Sequence, residues 1–178
     1  MKNIFSLVVL VAFAIVFSGC TASYQHNFLN QSSNTTYTPS RFLLVTPKSG
    51  SYGSHIYSSS GIEVVDVLNK ELKKYTPYVG IIPVTITIDQ INSQDMEKTD
   101  YVIIPQIIHW EDRLTGWSFK PDRIEVRFDI YNNQRQLIDS YMIQGRSAYI
   151  VWANKQPNSL LPRPIRNMLK ELFNQGNI

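Results

Sequence analysis

His109 and Glu111 stand two residues apart in Asp100-Tyr-Val-Ile-Ile-Pro-Gln-Ile-Ile-His-Trp-Glu-Asp-Arg113, a segment that reads as a β-strand. On a strand they share one face, while Trp110 and Asp112 share the other. A His–Glu pair can hold a metal ion or relay a proton. No second ligand motif of recognised spacing accompanies it, and the chain has only three histidines. The same stretch supports a plainer chemistry. Glu111, Asp112 and Asp122 lie close in sequence to Arg113 and Arg123, and guanidinium groups hold carboxylates in bidentate geometry. The residue types therefore point first to an ion-pair network fixing a loop. In that reading, removing Arg123 strands carboxylates and destabilises the domain. Trp110 and Trp117 beside these acids could stack on a sugar ring, cap the core, or anchor a protein interface. No nucleophile-elbow pattern marks any serine, and Gly50, Gly53 and Gly61 lack the Gly-Lys-Ser/Thr that completes a phosphate loop. No catalytic residue, metal or cofactor is assigned.

The elements that must carry this loop follow from periodicity. Tyr101–Trp110 is apolar on both faces, and Ile124, Val126, Phe128 and Ile130 alternate strictly. Pro105 cannot donate to a ladder, so a bulge or an unpaired side is expected there. Ile124–Tyr131 and Leu137–Arg146 read as a hairpin across Asn132–Gln136. Arg41–Pro47, a short apolar run stopped by its proline, is a buried first strand, and Val84–Ile88 a second. Val64, Leu68, Leu72 and Tyr75 mark a helix capped by Ser60 and Glu63. Ile165, Met168, Leu169, Leu172 and Phe173 mark another, with Ser159 as its cap, Pro164 in its first turn and Gly176 as its stop. Lys48–Ser60 reads as a long flexible loop. The expected architecture is an α+β domain: one mixed, mostly antiparallel sheet of about five strands with two main helices packed on it. The connection through the first helix implies a parallel neighbour.

The N-terminus carries the most specific signal. Lys2 precedes an apolar run, Ile4 to Phe17, shorter than the roughly 20 residues a bilayer span needs. It ends Phe17-Ser18-Gly19-Cys20, which resembles a bacterial lipobox. That resemblance implies that residues 1–19 are a signal peptide and that Cys20 is acylated as the first residue of the mature chain. Each buried CH₂ contributes about 0.8 kcal/mol, so several acyl chains hold firmly where one does not. Thr21, where inner-membrane lipoproteins often carry Asp, points to the outer membrane. Cys20 is the sole cysteine, which excludes an intramolecular disulfide. Residues 20–40 are polar and read as a flexible tether, leaving 41–178 as one globular periplasmic domain. The formal charge of +3 is spread without a basic block, which argues against nucleic acid.

His109-Trp-Glu-Asp-Arg113, Trp117-Ser118 and Pro121-Asp-Arg-Ile-Glu-Val126 together resemble the signature of a proteobacterial lipoprotein family, domain of unknown function 4823. Gly53, Tyr57, Gly61 and Leu161-Pro-Arg-Pro-Ile165 fit it less specifically. The resemblance implies an envelope lipoprotein and no known activity. The element order is also similar to small periplasmic domains such as the N-terminal domain of TolB, a likeness of fold only. The expectation is a non-enzymatic module, lipid-anchored to the outer membrane, that binds an envelope protein through Trp110, Glu111, Asp112, Arg113, Trp117, Asp122 and Arg123. A binder or hydrolase of envelope glycan is the alternative.

Overall fold

The computed structural model describes residues 22–30, 37, 40–113, 120–148 and 156–174. Cys20, Thr21, Trp117 and Gly176 lie outside the described residues.

Six strands form one mixed sheet in the order β1-β8-β7-β6-β2-β5. They are β1 (Ser23–Asn30), β2 (Phe42–Val45), β5 (Val79–Ile82), β6 (Tyr101–Glu111), β7 (Arg123–Asn132) and β8 (Leu137–Arg146). A two-strand hairpin, β3 (Ser51–Tyr52) with β4 (His55–Ile56), stands apart from it. The helices are α1 (Ser60–Leu72), the short α2 (Ser93–Glu97) and α3 (Pro162–Asn174). β6, β7 and β8 pair antiparallel, and β2 is parallel to both β5 and β6. The α+β expectation holds, and the sixth strand of the sheet is β1.

α1 and α3 cover one face. Val64, Leu68 and Leu72 meet Ile165, Met168, Leu169 and Leu172 over Ile124, Val126, Phe128 and Ile130. On the opposite face Ile91 and Met96 seal Leu43, Val45 and Val102. Along β6 a bulge between Ile107 and His109 shifts the register by one, so Ile103, Ile107 and Trp110 all face the helices despite their mixed spacing. The Pro105 expectation has a direct counterpart. Tyr101 donates its N–H to Arg41 on the β2 side, which places positions 103 and 105 as the next donors along that edge. Position 105 has none, and β2 pairs no further than Ile103.

Several expectations need correction. The segment read as tether contains β1, antiparallel to β8, and Tyr37, which is buried among Phe42, Tyr101 and Phe173 and hydrogen-bonds Asp139. Polar residues at Ser23, Gln25 and Asn27 hid an alternation in which Tyr24, His26 and Phe28 face the helices. The second strand is Val79–Ile82, not Val84–Ile88; Pro83 ends it, and the residues after it turn into a 3₁₀ segment, Ile88–Gln90. The α1 cap is also different. Ser59 precedes the helix and its hydroxyl bonds Glu63 at 2.7 Å, while the Ser60 hydroxyl donates to Tyr57 O and accepts from Gly50 N. Ser159 lies in the 3₁₀ turn Pro157–Leu160, and α3 begins at Pro162.

Candidate functional site

The parts that chemistry could use gather where β2, β5 and β6 end. The segment expected to be a flexible loop is instead the β3–β4 hairpin, turned by Gly53 at φ 59°, where a residue without Cβ costs nothing. It packs against the end of β6. Gly50 lies so close that a Cβ would sit 2.6 Å from Trp110 Cβ and 2.7 Å from Ile107 Cγ2. The Tyr52 ring meets His109 edge-on at 5.4 Å, and Arg113 lies 5.9 Å from its centre. The Tyr57 hydroxyl accepts from the Asp112 N–H at 3.2 Å.

Under this clamp His109 and Glu111 share a face as expected, with Nε2 3.3 Å from Oε2. Arg113 pairs with the other Glu111 oxygen. Burial raises the Glu111 pKa, but the His109 hydrogen bond and the Arg113 charge overcome it and hold the carboxyl below its ordinary range. A carboxylate already engaged by an arginine is a poor metal ligand. Among the described residues no three His, Cys, Asp or Glu side chains converge as a metal site.

The other members of the expected network go elsewhere. Asp122 accepts the Arg113 main-chain N–H at 2.7 Å, and its own N–H goes to Ser147 Oγ at 2.8 Å, so it ties the ends of β6 and β8. Burial raises its pKa, and the neighbouring Asp112 charge adds to the rise. Among the described residues Asp112 has no arginine partner; burial, then Glu63, pushes its pKa up. Arg123 is exposed and, among the described residues, makes no ion pair. It stands on β7 opposite Glu111 with its neighbour Ile124 in the core, so strand parity sends its side chain to the open face. Trp110 is 2% exposed and belongs to the core, which removes it from any stacking platform or interface.

A crevice of about 490 Å³ opens beside this cluster. It occupies the place where β2 would continue along β6 had Pro105 not stopped it. The loop after β2 leads to α1 on one face, and the loop after β5 leads to Ile91 and Met96 on the other. Such a divergence beyond the carboxyl ends of parallel strands is where open α/β sheets place ligands. Its walls mix Val45, Ile86, Ile104 and Tyr131 with the polar Thr46 and Gln106, and among the described lining residues Lys48 is the one that carries a charge.

The model of a domain of unknown function, DUF4823, matches residues 38–172. The chain belongs to the DUF4823 family. No curated protein matches it. Two solved structures show what the DUF4823 domain is similar to in fold. PelC of Paraburkholderia phytofirmans, solved as a dodecamer, aligns with a TM-score of 0.60 at 11% identity, covering 85% of this chain and 97% of that one. Protein XCC0632 of Xanthomonas campestris, a DUF330 member, aligns at 0.54 and 10% identity, covering 83% and 91%.

The DUF4823 sheet also has an open edge that sequence reasoning missed. β5 is the last strand of its side. Tyr78 O and Ile82 O accept from β2, so alternation turns the main-chain groups of Val79 and Ile81 outward. Along this edge Tyr78 is 62%, Ile81 40% and Val84 56% exposed. The signal was available: Val79-Gly-Ile-Ile-Pro83 is an apolar run stopped by proline, the same pattern that marks β2.

Proposed function

We propose that this chain is a non-catalytic binding module of the bacterial envelope. An acylated Cys20 attaches it to the outer membrane facing the periplasm, and the open β5 edge holds a protein partner. The observation that carries the reading is a strand edge that no other described strand pairs, flanked by exposed apolar side chains at Tyr78, Ile81 and Val84. Soluble proteins blunt free edges with charge, proline or cover, and an apolar edge left open is a template for an incoming strand. Main-chain bonds then give affinity and alternate side chains give specificity. PelC, which shares the fold, assembles as a dodecamer, so a second copy of this chain is the first partner to test. A glycan platform is less well supported, because Trp110 is in the core.

The test is a photo-crosslinking residue placed at Tyr78 in cells, with Ile56, an exposed residue of β4, as control. Discrete protein adducts from position 78 and none from position 56 are expected. An adduct of doubled mass identifies a second copy, and any other mass an envelope partner. No protein adduct, together with retention of the chain on purified peptidoglycan, refutes the reading. Cys20→Ser tests the anchor: loss of acyl label and release from membranes are expected, and label on that variant refutes it.

A further inference from the structure

The crevice beyond the end of β2 lies between β2 and β6, on the other side of β2 from the β5 edge. In the parallel register of these strands Tyr101 donates to Arg41 O, and Leu44 stands opposite Ile103. Carried on by alternation, position 105 would donate its N–H to Val45 O, and position 47 would donate its own to Pro105 O. Both positions are proline, and proline has no N–H. The ladder therefore stops for want of donors on both strands at once. It leaves two carbonyls, those of Val45 and Pro105, without their ladder partners. Both residues are buried, and both line the crevice. A main-chain acceptor held away from water calls for a donor.

The rest of the lining divides by chemistry. Ile86, Ile104 and Tyr131 offer an apolar wall. Lys48 follows Pro47 directly, is exposed, and among the described residues makes no ion pair. We propose that this crevice binds the C-terminus of a peptide chain. Amide N–H groups of an extended segment meet the Val45 and Pro105 carbonyls. The last side chain is apolar and packs on Ile86, Ile104 and Tyr131, and the α-carboxylate pairs with Lys48.

Three observations select this ligand over others. Unmet acceptors favour a ligand with donors, which a fatty acid or an inorganic anion lacks. An extended peptide turns an N–H to one edge at every second residue, the spacing a strand ladder uses. A single ammonium suits a single carboxylate, with a charge-assisted bond at the chain end. The volume of about 490 Å³ holds a few residues and excludes a folded domain. Strand addition and carboxylate capture are both established ways of reading peptides, and here the two would meet in one crevice. The site does not use the β5 edge, so each stands or falls without the other.

The test is fluorescence anisotropy of the full chain in detergent, with empty micelles as the blank. The probe is the tetrapeptide Ala-Ala-Val-Leu, labelled with fluorescein at its N-terminus and ending in a free carboxylate or in an amide. The acid is expected to bind saturably, at least about tenfold more tightly than the amide. Lys48 is exposed, so Lys48→Gln leaves the fold intact. It is expected to weaken the acid about tenfold and to leave the amide unchanged. The acid with its last two amide nitrogens methylated has lost those donors and is expected to bind about tenfold more weakly. No saturable binding of the acid, or equal binding of acid and amide, overturns the proposal. Acid binding that Lys48→Gln does not change overturns the site. Binding unchanged by methylation overturns the two carbonyls as its main-chain partners.

Discussion

Arg113 and Arg123 flank the same loop and carry the same charge, yet their removal should have opposite consequences. Arg113→Ala leaves Glu111, whose side chain is 2% exposed, without its arginine. Breaking a buried pair by removing one partner costs about 3–5 kcal/mol. Arg113 is itself 26% exposed, and His109 still bonds Glu111, so about 2–3 kcal/mol is expected. For a domain of this size that is a fall of roughly 4–12 °C in Tm. Arg123→Ala removes an exposed side chain without an ion pair among the described residues and should stay within about 0.5 kcal/mol of the parent. The pH dependence is a second check. The folded-state pKa of Glu111 is depressed, so its contribution is present above the unfolded value of about 4.3 and fades as pH falls through the folded value. The gap between Arg113→Ala and the parent should therefore narrow on acidification, down to the lowest pH at which both remain folded. Urea melting at several pH values measures both quantities. An Arg113→Ala protein as stable as the parent at pH 7, a gap that does not narrow with acid, or an Arg123→Ala protein that loses more than about 1 kcal/mol, would refute the reasoning.

Three further outcomes are expected. Gly61→Ala places a Cβ 2.4 Å from the Pro47 carbonyl oxygen, a backbone atom that cannot swing away, and should cost about 1–3 kcal/mol or more in urea melts. Tyr37→Ala empties an aromatic cluster and should cost about 3–5 kcal/mol, whereas a flexible tether would give no change; Tyr37→Phe isolates the loss of the Asp139 bond at about 1–3 kcal/mol. Glu71 is buried on α1, and hydrogen bonding to Arg166 of α3, helped by Lys74, holds its pKa below the ordinary value. That stability is present above the unfolded carboxylate pKa and lost as pH falls, so Arg166→Ala should move the acid-unfolding midpoint, followed by circular dichroism, to higher pH.

The central hairpins were legible because β6, β7 and β8 bury whole rows of β-branched and aromatic residues, and burial on one face writes an alternation into the chain. β1 was not, because it is an edge strand whose outer face meets water. Its alternation is polar against aromatic rather than polar against aliphatic. The candidate site was legible as a neighbourhood and illegible as a set of partners. Sequence proximity grouped Arg113 with Arg123, yet of the two only Arg113 pairs with Glu111, while Arg123, opposite Glu111 on the next strand, makes no ion pair among the described residues. The bulge after Ile107 had a comparable effect: Trp110 reached the core by one extra residue that no period-2 count includes.

β1 is the first described strand to leave the ribosome, yet its partner β8 is the last strand of the sheet. The Tyr37–Asp139 bond beside it spans 102 residues. Closing so long a loop rewards the chain only after the rest of the sheet exists, which makes docking of β1 a late folding event. As an edge strand β1 also gives up one ladder when it leaves, while an inner strand gives up two. Amide exchange should therefore find β1 opening below the global unfolding free energy, as a unit of its own. When it opens, β8 becomes a bare edge that fits one sequence above all others, the β1 of a neighbouring copy. Molecules held close on one surface would then exchange first strands, and the strand that completes each domain could link it to the next.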